Sequence, residues 1–404
     1  MIFNTLLNIL LWVLYYYLTA STVYLFILAV AGLFPLKKNL APVKTKRKIA
    51  VLIPGYREDE VIVEVAKEAL KQDYGTENYD VVIIADGFKD ETLEKLKNLN
   101  VIVIKVDLAV STKSRALNAA LAHLDEKYDV AVVLDADNIM APDFLSLINA
   151  DFEIGRTAVQ GHRVAKNTDT YFAILDAVSE EINNHLFRKA HQVLGLSSSL
   201  IGSAMAFDYM FFKTMMKKVE VVGGFDKEIE VVMLQKGMKI DYLPNAYVYD
   251  EKVPNAKVFT KQRRRWLSAQ VHYFGKSFLP ALKDLILKGN IDFFNKAMQY
   301  LLPPRIMLLG AISLFTLLSL FFPLELHFTA WCVSFILIIL VFILSIPKYF
   351  YNFRTLLAIS RLPYGFLLMI LSLLKIGGSN KEFLHTKHTY NAFQIKRHIK
   401  RGRA

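Results

Sequence analysis

The sequence predicts an α/β domain built on a mainly parallel sheet, joined to transmembrane and interfacial α-helices. Three observations support this fold class. Long apolar runs lie at both ends of the 404-residue chain, which is 54% hydrophobic and has a mean hydropathy of +0.31. Short, near-continuous apolar segments alternate with helical stretches in the middle, as in a parallel sheet covered on both faces. Polar residues directly follow several of these segments, at the strand ends where such folds bind ligands.

The first element is an apolar run over residues 6–34. At ~1.5 Å per residue it exceeds a bilayer core of ~30 Å, so residues 1–36 are expected to form a transmembrane helix. No Lys or Arg precedes Lys37, so the charged start of a cleavable signal peptide is missing. Basic residues crowd just after the run, and the positive-inside rule therefore predicts a cytoplasmic location for residues 37–300.

The middle of the chain, residues 37–256, is predicted to be one α/β domain. β-branched apolar segments predict four strands and the stretches between them predict three helices. The strands are expected at 48–54, 79–86, 101–106 and 129–137, and the helices at 58–72, 92–98 and 114–124.

The fourth predicted strand ends in Asp135-Ala136-Asp137. In an extended strand, residues i and i+2 point the same way, so Asp135 and Asp137 would present two carboxylates to one point. Hard oxygen ligands with open positions suit Mg²⁺ or Mn²⁺ bridging to the phosphates of a substrate. A DxD triplet on its own can equally cap the helix that follows, so its interpretation depends on what accompanies it.

Four motifs in order make the sequence resemble the inverting glycosyltransferase family that includes cellulose, chitin and hyaluronan synthases. They are Asp86 after the second strand, the DxD triplet, Asp226, and QRRRW at 262–266, and the resemblance covers roughly residues 48–275. Each motif is weak alone, and four in this order are specific. The resemblance implies a GT-A nucleotide-sugar-binding fold, a UDP-sugar donor and a divalent metal.

On the donor side, the resemblance implies that Asp86 recognises the uracil base, whose imide N–H a carboxylate can accept. It also implies that Tyr56 and Glu58 surround the nucleotide and that Lys113 and Asp135 lie beside it. Each has a simpler alternative: Asp86 could cap a loop before a turn, and Lys113 could be a solvated cation at a helix start.

For the general base, the resemblance points to Asp226. An inverting transfer needs a carboxylate to take the proton of the acceptor hydroxyl. Relatives carry Glu-Asp here, and this chain has Phe225 in place of the Glu. Glu228 and Glu230 are competitors for the role. An apolar neighbour such as Phe225 is expected to raise the pKa of the base through desolvation.

In the predicted segment 257–300, Gln262, Arg263, Arg265 and Trp266 match the QxxRW motif of the family. Fixed guanidinium groups would stabilise the negative charge of the departing diphosphate, and Trp266 would offer its flat face to the acceptor sugar. The alternative is an amphipathic interface helix over 259–274 that snorkels its cations to headgroups. Both can hold at once. The small residues of 195–207 are expected to line the acceptor side.

Two further transmembrane helices are expected within residues 301–347, from apolar runs at 307–322 and 324–346. The run at 356–376 is interrupted by Arg361 and Pro363, so 348–404 is predicted to hold an interfacial, re-entrant or third C-terminal membrane segment and a basic tail. The segment 381–389 weakly resembles a family gating loop, or is a basic interfacial tail.

Composition restricts the remaining possibilities. Cys332 is the only cysteine and lies in an apolar run, which excludes a disulfide framework or a thiolate metal cluster. The net charge of +12 lies largely beside membrane segments, so membrane lipids explain it better than nucleic acid. The chain has no GxGxxG after its first strand and no GxxxxGK phosphate loop.

The sequence therefore predicts a multi-pass enzyme of the cell (inner) membrane with a cytoplasmic catalytic domain. It would transfer a sugar from a UDP-sugar to a growing polysaccharide, alone or with an oligomeric or other partner subunit. The alternative enzyme adds one sugar to a lipid-linked acceptor. A third possibility is a transporter or binding protein with a decayed catalytic domain, which the intact motifs disfavour.

Overall fold

The computed structural model describes residues 2–36, 43–219, 224–252, 256–322 and 327–374. Lys37 and Lys38, the segment 381–389 and the basic tail at 396–403 lie outside these residues. The domain limits given above stay predictions.

Eight strands form one sheet. They are Ile49–Tyr56 (β1), Tyr79–Asp86 (β2), Ile102–Val106 (β3), Val130–Val133 (β4), Ile139–Met140 (β5), Ala158–Ala165 (β6), Met205–Asp208 (β7) and Asp241–Asp250 (β8).

The helices of the α/β region alternate with these strands and lead into longer apolar helices. They are Ile2–Ala31 (α1), Ile62–Ala69 (α2), Asp90–Lys97 (α3), Lys113–His123 (α4), Phe144–Glu153 (α5), Tyr171–Asn183 (α6), Ala190–Val193 (α7), Tyr209–Met216 (α8), Phe225–Gln235 (α9), Ala256–Lys288 (α10), Ile291–Leu301 (α11), Arg305–Phe321 (α12), Phe328–Ser345 (α13), Phe353–Ile359 (α14) and Leu362–Leu374 (α15). A π-helical segment, Asn184–Lys189, joins α6 to α7.

The sheet has the order β3-β2-β1-β4-β7-β6-β8-β5. β1 pairs in parallel with β2 and β4, and β2 pairs in parallel with β3. β7 is antiparallel to both of its neighbours, whereas β6 and β8 are parallel to each other. The carboxyl ends of β1, β2 and β4 therefore meet at one edge, which confirms the expected α/β sheet.

The core lies on both faces of this sheet, because the central strands are buried on both sides. Alternate residues of β1 divide between two clusters: Val51 and Ile53 pack with α2 and α5, whereas Ala50 and Leu52 pack with α4, α8 and α9. Sheet and helices together form a rigid platform under the strand ends.

Within the described residues, two helices are long and apolar enough to cross a membrane, over residues 5–31 in α1 and 328–345 in α13. α11 and α12 pass the same test only as a pair, bent by 58°, which would give up to three spans. The run expected at 356–376 divides into α14 and α15 in its described part. Two spans in the expected positions support association with a membrane.

α1 packs both on the other apolar helices and on the α/β region. Trp331 of α13 is 1% exposed, and its ring lies 5.0 Å from Tyr15 of α1 and 4.8 Å from Phe315 of α12. Leu25 of α1 belongs to the same buried cluster as Ile182 of α6. The membrane helices and the domain that they carry therefore share one apolar core.

Candidate active site

A carboxylate triad lies at the edge where β4 and β8 end. Asp135, Asp137 and Asp250 each offer an oxygen, and these oxygens lie within 4.8 Å of one another. The side chain of Asn138 donates to Asp137 Oδ1 and Asp250 Oδ1, both at 3.1 Å, and so holds two of the carboxylates together.

The DxD triplet is not part of an extended strand, as the sequence reasoning assumed. β4 ends at Val133, and the Asn138 N–H donates to the Asp135 carbonyl at 3.0 Å to close a turn. The turn supplies the convergence that strand alternation was expected to supply. Asp137 is 1% exposed within it, and its Oδ2 accepts from the Glu251 N–H at 2.7 Å.

Three cations surround the triad. Lys113 Nζ lies 2.5 Å from Asp135 Oδ1 and Lys252 Nζ lies 2.8 Å from Asp250 Oδ2. Arg163 lies between these carboxylates, 3.8 Å from Asp135 Oδ2 and 3.7 Å from Asp250 Oδ2. Burial alone would raise the pKa of Asp250, but Arg163 and Lys252 outweigh it and lower that pKa to about 2.

These residues fit a divalent cation. Carboxylate oxygens are the hard ligands that Mg²⁺ and Mn²⁺ prefer, and the cluster brings three of them to one point. The neighbouring ammonium and guanidinium groups balance part of the negative charge of these carboxylates. The structure therefore supports the metal expected at Asp135 and Asp137, and adds Asp250 as a third ligand.

Asp86 ends β2 at the same edge and is 5% exposed. The Ser111 hydroxyl donates to its carboxylate, and burial raises the pKa of that carboxyl group. The backbone N–H of Arg57 donates to the Asp86 carbonyl at 3.0 Å, and its guanidinium lies 5.0 Å from the Tyr56 ring centre. The ends of β1 and β2 are thus tied together, with Glu58 buried next to them.

Lys113 is held at the start of α4, two residues after Ser111. Thr112 caps that helix by accepting from the Arg115 N–H at 3.2 Å. Besides contacting Asp135, Lys113 Nζ donates to the Gly202 carbonyl at 2.7 Å. Lys113 therefore connects the triad to the loop before β7.

Asp226 lies on the other side of that loop, in the first turn of α9. A Cβ atom on Gly202 would lie 3.8 Å from Asp226 Cγ. Gly202 has a φ of +83°, a conformation that suits glycine. Phe225 lies under Lys113, whose Nζ is 5.5 Å from the ring centre. Asp226 thus faces the same space as Lys113 and the triad.

The two acidic competitors have other partners. Glu228 forms an ion pair with Lys276 at 2.6 Å, on a side of α9 where Lys276 is 45% exposed. Glu230 is buried and paired with Lys296 at 2.7 Å. Burial raises the pKa of Glu230, although Lys296 opposes that shift.

The arginines of QRRRW on α10 face different ways. Burial lowers the pKa of Arg265, and the carboxylates that oppose this shift are Asp135 and Asp226, so Arg265 lies toward the triad. Arg263 donates to Asp176 Oδ1 at 2.8 Å, and its guanidinium lies 4.4 Å from the Trp266 ring centre. The buried Oε1 of Gln262 has no hydrogen-bond partner among the described residues.

A cavity of ≈ 330 Å³ extends from Asp226 toward the membrane helices. Charged groups and Trp266 line one side of it, and Leu25 of α1 and residues 302–306 line another. Its polar lining includes Asp226, Glu230, Arg263, Lys296 and Arg305. Arg163, which contacts Asp135 and Asp250, also lines the cavity, so the cavity borders both the Asp226 carboxylate and the surroundings of the triad.

Sequence reasoning missed Arg163 and Asp250. His162, the neighbour of Arg163 in β6, has a structural role: its ring contacts Glu181 at 3.1 Å and the Pro244 carbonyl at 2.8 Å. The signal for Asp250 was present, since AYVYD is a β-rich run ending in a carboxylate, like the strands before Asp86 and Asp135. The rule that ligands bind at the carboxyl ends of parallel strands thus points to Asp250 as it does to Asp86 and Asp135.

Comparison with protein families gives a match between residues 46–269, more than half of the 404-residue chain, and the family described as "Glycosyltransferase like family 2". A curated relative, "Probable glycosyltransferase YdaM" of Bacillus subtilis (strain 168), is 25% identical over 239 residues. The alignment covers 54% of each chain, so this chain spans about half the length of that relative.

Solved structures give broader but weaker likenesses. Mannosyltransferase PcManGT from Pyrobaculum calidifontis, in complex with GDP-Man and Mn²⁺, is 18% identical with a TM-score of 0.47 over 81% of this chain and 98% of that one. S. aureus TarS 1–349 is 17% identical with a TM-score of 0.42, over 82% and 90%. TM-scores this low carry no inference for this chain.

Proposed function

Because this chain belongs to the glycosyltransferase-like family 2, whose model matches residues 46–269, we propose that it is an inverting glycosyltransferase that uses a UDP-sugar. The same membership accounts for its GT-A-like sheet. The observation that supports the proposal best is the connection of the carboxylate triad to Asp226 through Lys113 and Gly202. One compact site therefore offers one side that binds the diphosphate and another side that carries the general base.

On the donor side, Asp86 accepts the imide N–H of the uracil, with Tyr56 and Glu58 around the nucleotide. The buried Asp86 carboxylate already accepts a hydrogen bond from the Ser111 hydroxyl, so it is oriented before the uracil binds. Lys113 and Arg265 face the triad from two elements and are positioned to bind the diphosphate. Their charges do not need to reorganise as the leaving group develops charge.

A divalent metal held by Asp135, Asp137 and Asp250 would supply Lewis-acid stabilisation of the leaving diphosphate. Either Mg²⁺ or Mn²⁺ suits this oxygen set. Arg163 and Lys252 lower the pKa of Asp250 and so keep that carboxylate ionised for it.

On the acceptor side, Asp226 is the general base. Its carboxylate takes the proton of the acceptor hydroxyl while that oxygen forms a bond to the anomeric carbon. The bond from that carbon to the diphosphate oxygen breaks with its electron pair, and UDP leaves from the opposite face. Attack and departure on opposite faces invert the anomeric configuration. The Asp226 carboxylate lies across Gly202 from Lys113, as this geometry requires.

The acceptor enters through the cavity beside Trp266, and a growing polysaccharide is the first class that we propose. The cavity lies between the domain and the membrane helices, so a product leaving by this route meets the membrane. The enzyme would act at the inner face of the cell membrane, with further subunits completing any channel.

The test is UDP release by the purified full-length protein with a panel of UDP-sugars and either Mg²⁺ or Mn²⁺. We expect metal-dependent release with one or a few sugars, and loss of it in Asp137→Ala. Product length on radiolabelled donor then separates polymer from single addition. If no UDP is released with any tested UDP-sugar, divalent metal or acceptor, the proposed function is refuted.

A further inference from the structure

Arg305 is a partly buried cation with no anionic partner among the described residues, at a point where the chain enters an apolar helix. Its Nη2 donates to the carbonyl and hydroxyl oxygens of Ser179, each at 3.1 Å. Its Nη1 is buried and has no hydrogen-bond partner in the part of the chain that the structure describes. No ion pair of Arg305 occurs within that part either. A desolvated guanidinium in this state is costly unless an anion completes it.

Three other cations of the cavity each have a carboxylate partner. Arg188 is paired with Glu180 at 3.2 Å and Lys296 with Glu230 at 2.7 Å. Arg263 is paired with Asp176 at 2.8 Å. Arg263 and Arg188 lie near enough to repel Arg305, and Glu180, which is already paired with Arg188, opposes that repulsion without forming an ion pair with Arg305. The cavity as a whole carries more basic than acidic side chains.

The opposite wall is apolar and belongs to the membrane helices. Leu25 of α1 lines the cavity and is fully buried. Leu302, Pro303 and Ile306, around the bend between α11 and α12, line it as well. A ligand that satisfies both walls has an anionic head and an apolar tail.

We propose that this cavity binds the phosphate group of a lipid-linked acceptor, with Arg305 as the main phosphate ligand and Arg263 beside it. This inference rests on the proposed function and deepens it, because it specifies the acceptor of the same transfer; a lipid-linked acceptor here takes the place of the growing polysaccharide proposed first. The phosphate head lies at Arg305, the apolar chain runs along Leu25 and Ile306, and the group to be glycosylated reaches Asp226. At ≈ 330 Å³ the cavity is at the lower end for ligand sites, which suits one head group and a sugar.

A neutral polysaccharide would leave Arg305 without its anion. A free phosphate would leave the apolar wall without a partner. The amphiphilic phosphate ester is the ligand that uses both features, so it is favoured over the two simpler ligands.

The experiment is calorimetric titration of the full-length protein in detergent micelles with citronellyl phosphate. We expect saturable binding, weakened about tenfold or more by Arg305→Met because a charge-assisted hydrogen bond is lost. Arg305→Lys keeps the charge, and its affinity for the ester should lie between those of the wild type and Arg305→Met. This variant shows whether weaker binding results from the lost charge or from misfolding. Arg354→Met, at an exposed arginine of α14, is the matched control and should bind as the wild type does.

Three further ligands identify the chemistry. Citronellol and inorganic phosphate should each bind at least tenfold more weakly than the ester, since each satisfies one wall only. Dioctanoyl phosphatidic acid should bind weakly, and equal binding would indicate a general lipid-headgroup site and overturn the acceptor assignment. Equal affinity of Arg305→Met and wild type for the ester would overturn the proposal outright.

Failure of this inference and failure of the proposed function give different results. Metal-dependent UDP release with no saturable binding of the ester would leave the glycosyltransferase in place and refute the phosphate site. Ester binding without turnover of any nucleotide sugar would support the phosphate site and refute the proposed glycosyltransferase activity. Arg265→Met provides an internal contrast, because it should weaken UDP binding and leave ester binding intact.

Discussion

At the scale of single residues, Asp226 is distinguished from its acidic neighbours by what it faces. Glu228 and Glu230 each have a lysine within 2.7 Å, whereas Asp226 borders both the glycine loop and the cavity. A base must be reachable by the acceptor hydroxyl, and a carboxylate held in an ion pair is a poorer candidate. The role that the motif suggested for Asp226 is therefore also the one that the geometry favours.

Asp226→Asn should lower kcat by about 10²- to 10⁴-fold, because general-base assistance is lost while the side chain keeps its size. The KM for the UDP-sugar should change little, since the donor binds on the other side of Gly202. Initial rates of UDP release measure both parameters. Glu228→Gln is the matched control on the same helix, and a comparable loss of kcat there would contradict the assignment.

Asp250→Asn tests the third metal ligand, which the sequence motifs did not indicate. Removing one charged oxygen from the triad should weaken Mn²⁺ binding by about tenfold or more, because ligand charge sets the affinity of such sites. Electron paramagnetic resonance of Mn²⁺ titrated into the protein measures the affinity directly. Asp241→Asn, at the opposite end of β8, is the control. Unchanged Mn²⁺ affinity in Asp250→Asn would remove this residue from the site.

At the scale of elements, α9 is fixed to α11 by a buried ion pair, four residues beyond Asp226. Glu230 is 2% exposed and Lys296 is 6% exposed, and the Lys296 ammonium also donates to the Ser199 hydroxyl at 2.7 Å. A second pair, Glu228 with Lys276, joins α9 to α10 at the surface. α10 and α11 thus set the position of the helix that carries Asp226.

Lys296→Met should destabilise the fold by about 3–5 kcal/mol, because it leaves the Glu230 carboxylate buried and unpaired. Uptake of a proton by Glu230 sets the lower end of that range. Lys276→Met breaks the ion pair between the exposed Lys276 of α10 and Glu228 of α9. It should lower the free energy of unfolding by less than about 1 kcal/mol. Thermal unfolding of the two variants in detergent compares them. The double variant Lys296→Met/Glu230→Gln should recover part of the loss, and no recovery would mean that the lysine acts otherwise.

The strand pattern shows how far the sequence alone could go. Strands β1 to β4 were predictable because their apolar runs are continuous, and Asp86 was placed correctly at the edge because parallel strands end together. Asp250 could be recognised as the end of a strand, but its approach to Asp135, like that of Arg163, depends on the pairing of β6 with β8 and on β7 running antiparallel. Those pairings join segments far apart in sequence, and local periodicity does not encode them.

At the scale of the whole molecule, a polar network connects the first membrane helix to the catalytic domain. Tyr24 of α1 donates to Asn295 Oδ1 at 2.9 Å and lies 3.5 Å from His191 Nε2. Gln299 of α11 contacts the same His191 nitrogen at 2.7 Å, and His191 Nδ1 bonds to the Leu186 carbonyl at 2.8 Å. Burial lowers the pKa of His191 to about 4.

Acidification should therefore loosen this junction. The unfolded chain takes up the proton near pH 6.5 and the folded chain only near pH 4, so stability falls as the pH drops through that window. By about pH 4 the loss from this one group approaches ~3 kcal/mol. Melting temperatures at about pH 7.5 and about pH 5 measure it. His191→Gln should show a smaller drop than the wild type, and an equal drop would assign the effect to other groups.

Gly202 lies where the proposed donor and acceptor sites meet: its carbonyl accepts from Lys113, and its backbone, with a φ of +83° that suits glycine, borders the Asp226 carboxylate. Neither substrate site is therefore an independent module of the enzyme. Divergence of this chain toward a new acceptor would have to leave one small backbone segment untouched, or retune its handling of the nucleotide in the same step. Acceptor variety is accordingly expected to arise at the far end of the cavity, among the residues that face the membrane.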